Sequence, residues 1–211
     1  MKDILNNCES LKRVWTHAPN IAALALLCLA GASLAAPEAP GATAACVKCH
    51  GENGMGHGVP VIPIIAGMPA PHIEEAIYAY VDGARQCTRM QEMCETVAAL
   101  SEAEVAQVAE HYAGMPRLAS DDEFDQTLAA RGAELHASRC AICHLRPDDE
   151  DVEYGLGIPL HGQRKEYIRF AIEDYMRGDR ISLLDAMADE IRILEPDELE
   201  ALVNYYASYR T

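Results

Sequence analysis

The apolar positions of this chain recur at helical spacing, and they do so twice. Ile73, Ala76, Ile77 and Tyr80 fall at i, i+3, i+4 and i+7, one face of an amphipathic helix. Ile168, Ala171, Ile172 and Tyr175 repeat that face 95 residues later. Gly83 and Gly178 are each placed to stop the helix before them. Further on, Ser101 followed by Glu104 forms a capping box that predicts a helix over Glu102 to Ala113, with Val105, Val108 and Tyr112 inward. Its counterpart starts near Glu195, carries Pro196 in the first turn and presents Leu199, Leu202 and Tyr206. Asp125 to Ser138 reads as one more helix, with Leu128, Ala129, Ala133 and Leu135 available for packing. Period-two alternation bounded by turn residues is missing, so the expected fold is all-α.

The matching positions define an internal repeat at an offset of 94 or 95 residues. Cys46 maps to Cys140, His50 to His144, Arg85 to Arg180 and Met93 to Met187, while Pro63 and Gly67 map onto Pro159 and Gly162 with small loop adjustments. Two tandem domains follow, over residues 36–117 and 118–211, with a boundary near Met115-Pro116 and a linker running to about Asp122. The front of the first copy is short and rich in Ala and Pro, so the helix before its Cys pair is short or missing. Residues 1–35 read as a cleaved export signal. Lys12 and Arg13 precede the apolar stretch Ile21 to Leu34, and Ser33-Leu34-Ala35 offers small residues to a signal peptidase. That stretch is short for a membrane span, so the mature chain is expected to have none and to be periplasmic.

Removing Lys2, Lys12, Arg13, Asp3 and Glu9 with the leader leaves 14 basic and 31 acidic side chains, a net of −17. A surface of that sign argues against nucleic acid and anionic membranes, and for a partner with a basic face. Asp148, Asp149, Glu150 and Asp151 lack the spacing of a calcium loop and read as solvated.

The candidate chemistry lies in two copies of C-x-x-C-H, Cys46-Val47-Lys48-Cys49-His50 and Cys140-Ala141-Ile142-Cys143-His144. This is the covalent attachment signal for a c-type haem: two thiols add to the porphyrin vinyl groups and the adjacent His ligates the iron. Two covalently bound haem c groups are therefore expected, each acting as the centre of a small core. A four-cysteine zinc site and dithiol redox chemistry are the alternatives, but His follows both pairs. Each iron needs a sixth ligand, and a Met thioether raises the potential as electron transfer requires. The repeat nominates Met93 and Met187, each eight residues before a helix start, with Met90 and Met176 as rivals. His57, His72, His111, His136 and His161 have no equivalents in the other copy and read as exposed or locally bonded. The carbonyls of Pro63 and Pro159 are candidates to accept a hydrogen bond from the ligating His rings. Arg85 and Arg180 either pair with propionates or are solvated. Cys87 and Cys94 remain, an even number in an oxidising compartment, and predict a disulfide rather than two free thiols. Seven residues of continuous helix rise about 10.5 Å, too far for a bridge, so the chain between them must turn back.

These motifs resemble the diheme class I cytochromes c, two tandem cytochrome c domains with His–Met ligation in each. Phe124-Asp125, Leu128-Ala129, Gly132-Ala133, Leu135-His136, the acidic loop, Leu160-His161-Gly162-Gln163 and Met187-Ala188 are similar to the cytochrome subunit of flavocytochrome c sulfide dehydrogenase. The segment around Cys87 and Cys94 departs from that pattern. The resemblance implies a periplasmic, non-enzymatic electron-transfer subunit docked on a flavoprotein and passing electrons to a downstream acceptor. A free-standing diheme carrier feeding a terminal oxidase is the alternative, and a catalytic cytochrome a more distant one.

Overall fold

The computed structural model describes residues 41–152 and 156–211, so the export signal expected over residues 1–35 lies outside the described residues. Eight α-helices and one 3₁₀ turn build the described part: α1 (Thr43–His50), the 3₁₀ turn (Gly56–Gly58), α2 (Ala70–Val81), α3 (Gln91–Val97), α4 (Glu102–Ala113), α5 (Gln126–Arg139), α6 (Lys165–Arg177), α7 (Asp185–Arg192) and α8 (Pro196–Ser208). α2, α3 and α4 of the first copy correspond to α6, α7 and α8 of the second. The capping boxes work as the chain chemistry dictates. Ser101 accepts from the Glu104 amide while Glu104 bonds back to the Ser101 amide, and Glu195 and Glu198 do the same at α8.

Each copy buries the same four repeat positions. Ile73, Val105, Val108 and Tyr112 belong to the first core cluster; Ile168, Leu199, Leu202 and Tyr206 belong to the second. α5 packs along α8, and Gly132 permits the approach: a Cβ there would lie 2.2 Å from the Ala201 carbonyl oxygen. No residue larger than glycine fits without separating the helices. The two copies differ at the attachment motif. α1 runs through Cys46 and Cys49 to His50, whereas α5 ends at Arg139 and Cys140 to His144 form turns.

The segment expected to be a linker is bonded to the second copy. Arg117 donates to the His161 carbonyl at 2.9 Å, the Ser120 amide to the Gly162 carbonyl at 2.7 Å, and the Lys165 amide to the Asp122 carboxylate at 2.7 Å. The copies also meet directly. The Gln163 side-chain amide donates to the Ile64 carbonyl and accepts from the Ile64 amide, both at 2.8 Å. Arg85 and Arg180 form an antiparallel bridge. Around it the Gln86 amide donates to the Asp179 carbonyl and the Ile181 amide to the Ala84 carbonyl, both at 2.8 Å. Each partner in one bond sits 95 residues from its counterpart in the other, so a local two-fold axis runs through the bridge. Arg89 reinforces this contact with bonds to Asp174 and Glu173 at 2.9 and 2.7 Å.

Cys87 and Cys94 are joined by a disulfide, with Cα atoms 6.0 Å apart. The chain turns at Met90 so that α3 folds back over the segment leading into it.

Candidate cofactor sites

A cavity of about 1440 Å³ runs through both copies, well beyond the ordinary size of a small-ligand pocket. Its walls carry Cys46, Cys49, His50 and Met93 from the first copy, and Cys140, Cys143, His144 and Met187 from the second. The remainder is mainly aliphatic, including Ile73, Ile77, Val97 and Val108 in one half and Ile168, Ile172, Leu194 and Leu202 in the other. Among the described residues the four cysteines outside the disulfide, Cys46, Cys49, Cys140 and Cys143, are half-buried. Among the described residues no three His, Cys, Asp or Glu side chains converge as a metal cage would require.

The histidines are oriented by backbone carbonyls. His50 Nδ1 lies 3.2 Å from the Pro63 carbonyl oxygen, and His144 Nδ1 lies 2.9 Å from that of Ile158. A carbonyl only accepts, so each Nδ1 carries the proton and each Nε2 keeps its lone pair for a metal. Burial pushes both imidazoles below their ordinary value, outweighing the opposing effect of the carbonyl, and keeps them neutral. The second acceptor corrects the expectation of Pro159. Aligning the copies on Gly67 and Gly162, whose amides donate to the Tyr112 and Tyr206 carbonyls, pairs Pro63 with Ile158 and Ile64 with Pro159. The Pro159 carbonyl instead faces Arg117, at 3.4 Å. Gly157, which no sequence signal marked, is held against His144: a Cβ there would lie 2.6 Å from Nδ1.

Met93 and Met187 occupy equivalent places, each the third residue of its helix. The Met93 amide donates to the Met90 carbonyl at 3.2 Å and the Met187 amide to the Leu184 carbonyl at 3.1 Å. Met90 also lines the cavity, but its counterpart is therefore Leu184, which has no ligating atom. Met176 is 46 % exposed and lies outside the cavity lining.

Arg85 is not solvated. It is buried, lies over the Tyr80 ring at 4.6 Å and donates to the Tyr167 hydroxyl at 3.3 Å. Arg180 stacks on Tyr175 at the same 4.6 Å. Burial would discharge Arg85, but the surrounding tyrosine oxygens raise its pKa and hold the proton on. Among the described residues no carboxylate pairs with it. A buried, carboxylate-free guanidinium in the cavity wall is a ready partner for an acidic group on a ligand.

His136 and His161 form a cluster that residue patterns did not reveal. Their rings meet edge-on at 4.8 Å. His136 Nδ1 lies 3.1 Å from the Tyr206 hydroxyl and His161 Nε2 3.1 Å from that of Tyr205, and both rings are buried. The partners are 70 and 44 residues away along the chain, so the expectation that these histidines are exposed or locally bonded does not hold for them.

Paired thiols beside an imidazole with a free Nε2, facing an apolar cavity and a thioether, fit a haem and its iron. With two such arrangements on an all-helical frame, the protein is a c-type cytochrome. No protein-family profile matches the chain. It is 34 % identical over 167 residues to the thiosulfate dehydrogenase electron acceptor of Thiomonas intermedia, covering 74 % of this chain and 73 % of that protein. Cytochrome c-554(548) of Halomonas halodenitrificans is 36 % identical over 67 residues, 32 % of this chain and 80 % of that one. Among solved structures, thiosulfate dehydrogenase TsdBA of Marichromatium purpuratum superposes with a TM-score of 0.62 at 25 % identity, over 78 % of this chain and 36 % of that one. Cytochrome c4 of Acidithiobacillus ferrooxidans gives 0.65 at 22 % identity, over 79 % of this chain and 99 % of that one, and shares the fold. The chain belongs to the diheme class I cytochromes c, electron-transfer proteins that carry covalently bound haem c.

Proposed function

We propose that this chain is the exported electron-accepting subunit of a sulfur-oxidising dehydrogenase. Bound haem c supplies a one-electron iron couple. Cys46 and Cys49 tether the first group and Cys140 and Cys143 the second. His50 and His144 would bind the iron through Nε2, and Met93 and Met187 through the thioether sulfur. The hydrogen bonds from Nδ1 to Pro63 and Ile158 fix each ring and raise its basicity. Arg85 and Arg180 would balance the charge of the haem propionates. With a thioether bound at each iron, neither would be open to substrate, as electron transfer requires.

The observation that carries the reading is the doubled donor set in one continuous cavity. The enzyme that donates electrons is read from likeness. The relative from Thiomonas intermedia is named as acceptor for thiosulfate dehydrogenase, which favours a thiosulfate-oxidising donor over the flavin-linked sulfide enzyme that the residue pattern resembles. Among the described residues no helix is long and apolar enough to cross a membrane, compatible with a periplasmic carrier.

The test is the holoprotein with both candidate donors. Mass spectrometry should show two haem additions. Met93→Ala should remove half of the sulfur–iron charge-transfer band, whereas Met90→Ala should leave it whole. Thiosulfate with its dehydrogenase should reduce the protein faster than sulfide with a flavoprotein does. A haem-free chain, or a band indifferent to Met93→Ala, refutes the assignment.

A further inference from the structure

Among the described residues, six side chains have a buried polar atom without a hydrogen-bond partner: His72, Tyr112, Arg117, Ser120, His161 and Arg164. Of these only His72 lines the cavity. The atom is Nε2. His72 is the third residue of α2, and its side chain is only 10 % exposed. Its other nitrogen, Nδ1, stands 3.9 Å from the Glu75 carboxylate, too far for a hydrogen bond. Buried polar groups in native folds are almost always paired. A lone one in the wall of a cofactor cavity is a place for a polar edge of the cofactor.

The repeat pairs His72 with Tyr167, the third residue of α6, 95 residues on. Tyr167 reaches across to the first copy, where it accepts from Arg85. His72 reaches the other way. Burial lowers the His144 pKa most, and the further downward contributions come from His72 and Arg180. At His50 only burial and the Pro63 carbonyl act. His72 belongs to the first copy but lies near the second iron site. A haem c offers an apolar ring, an iron and two propionates. An imidazole Nε2 that carries hydrogen can serve only the propionates, and a bare Nε2 only the iron. Each iron already has a ligand pair matched by the repeat, and tyrosine stands where a counterpart of His72 would be. We propose that His72 donates a hydrogen bond from Nε2 to a propionate of the second haem, so that the first copy completes the binding site of the second. The neutral Nε2–H tautomer suffices, and no added proton is needed. The bond draws negative charge from the carboxylate and favours ferrous iron at that centre. Two centres of matched ligation then differ through one residue.

The proposal rests on the diheme reading above, and its test separates the two. The holoprotein carries His72→Phe or His72→Leu, which remove the donor, or His72→Gln, which keeps an N–H. Resonance Raman spectra should show a propionate bending band displaced in the donor-free variants and at its parental place in His72→Gln. In redox titrations of the donor-free variants one reduction constant should fall about threefold, or about 28 mV at about 59 mV per decade, while the other holds. A Met93→Ala background tells which centre moves. There the sulfur–iron charge-transfer band reports the second centre alone, and its midpoint should fall when His72→Phe is added. Propionate bands and potentials unmoved in the donor-free variants overturn the proposal and leave the diheme assignment intact. So does a fall confined to the first centre, or a His72→Gln variant shifted as far as His72→Phe. A charge-transfer band weakened by His72→Phe overturns it too, because His72 would then act at an iron. A chain without haem overturns both readings.

Discussion

Replacing both Cys87 and Cys94 with serine should loosen one iron site and spare the other. The bridge closes a loop with a sequence separation of 7. Loop-closure entropy for so short a ring is worth about 2.5 kcal/mol. That sum falls on a segment with little else to hold it. α3 has only seven residues, too few for a helix to persist without tertiary support. Met93 lies within it, next to Cys94. The bonds of Gln86 to Asp179 and of Arg89 to Asp174 and Glu173 anchor the chain before α3, and the bridge carries that anchorage across to α3. The loss is therefore expected as local opening more than as global unfolding. Urea titration of the holoprotein, read by the sulfur–iron charge-transfer band, checks it. In the variant, half of the band should vanish at a lower urea concentration than the other half, while far-ultraviolet ellipticity still reports native helix. A single transition at the parental midpoint, or simultaneous loss of both halves, would refute the reasoning.

Four further outcomes follow from particular residues. Gly132→Ala should cost about 3 kcal/mol, because its Cβ meets backbone and not a movable side chain, and should lower Tm by about 6–12 °C. Gly83→Ala has open space around it and φ of +73°, so calorimetry should show only the left-handed penalty of about 1–2 kcal/mol, and equal effects at both glycines would defeat the argument. Gln163→Leu strips partners from the buried amide and carbonyl of Ile64, for about 2–5 kcal/mol, and hydrogen exchange at Ile64 should accelerate with it; unchanged protection there would contradict the bonding. Burial, with smaller contributions from His144 and Arg146 at His136 and from His136 and Arg146 at His161, pushes the two rings down to about 4 and about 3, against a weaker upward pull of Asp148 on His161. The unfolded chain binds these protons first, so stability is full above pH 6.5 and declines as the pH falls toward 4. Urea midpoints that stay flat from pH 7 to 5 would be inconsistent with neutral buried rings.

Much of the helical frame was legible because its signals are local. Ser101 and Glu104 lie in one turn, and Ile73, Ile77 and Tyr80 share a face whatever surrounds them. The repeat then transferred each conclusion from one copy to the other, which is how Met93 and Met187 were singled out together. Transfer failed where the copies differ by one residue. The loop after His144 is one residue longer than that after His50, so matching proline to proline chose Pro159 where the geometry uses Ile158. Long-range contacts left no trace in spacing. Nothing near Gly132 in the chain announces Ala201, and nothing near His161 announces Tyr205. The interface between the copies was hidden for the same reason: Gln163 meets Ile64 from 99 residues away, Arg89 meets Asp174 from 85, and the bonds of Gln86 and Ile181 join backbone groups that any residue possesses.

The reciprocal bonds around Arg85 and Arg180 are those that two identical subunits would make across a dimer axis. Such a dimer must place the same residue at both of its redox centres. Joining the subunits end to end lifts that constraint while keeping the contact. A change on one side of the axis, such as an added sulfur bridge or a lysine traded for isoleucine, no longer has to appear on the other. Covalent linkage thus lets a symmetric contact carry two unlike sites, one on each side of its axis.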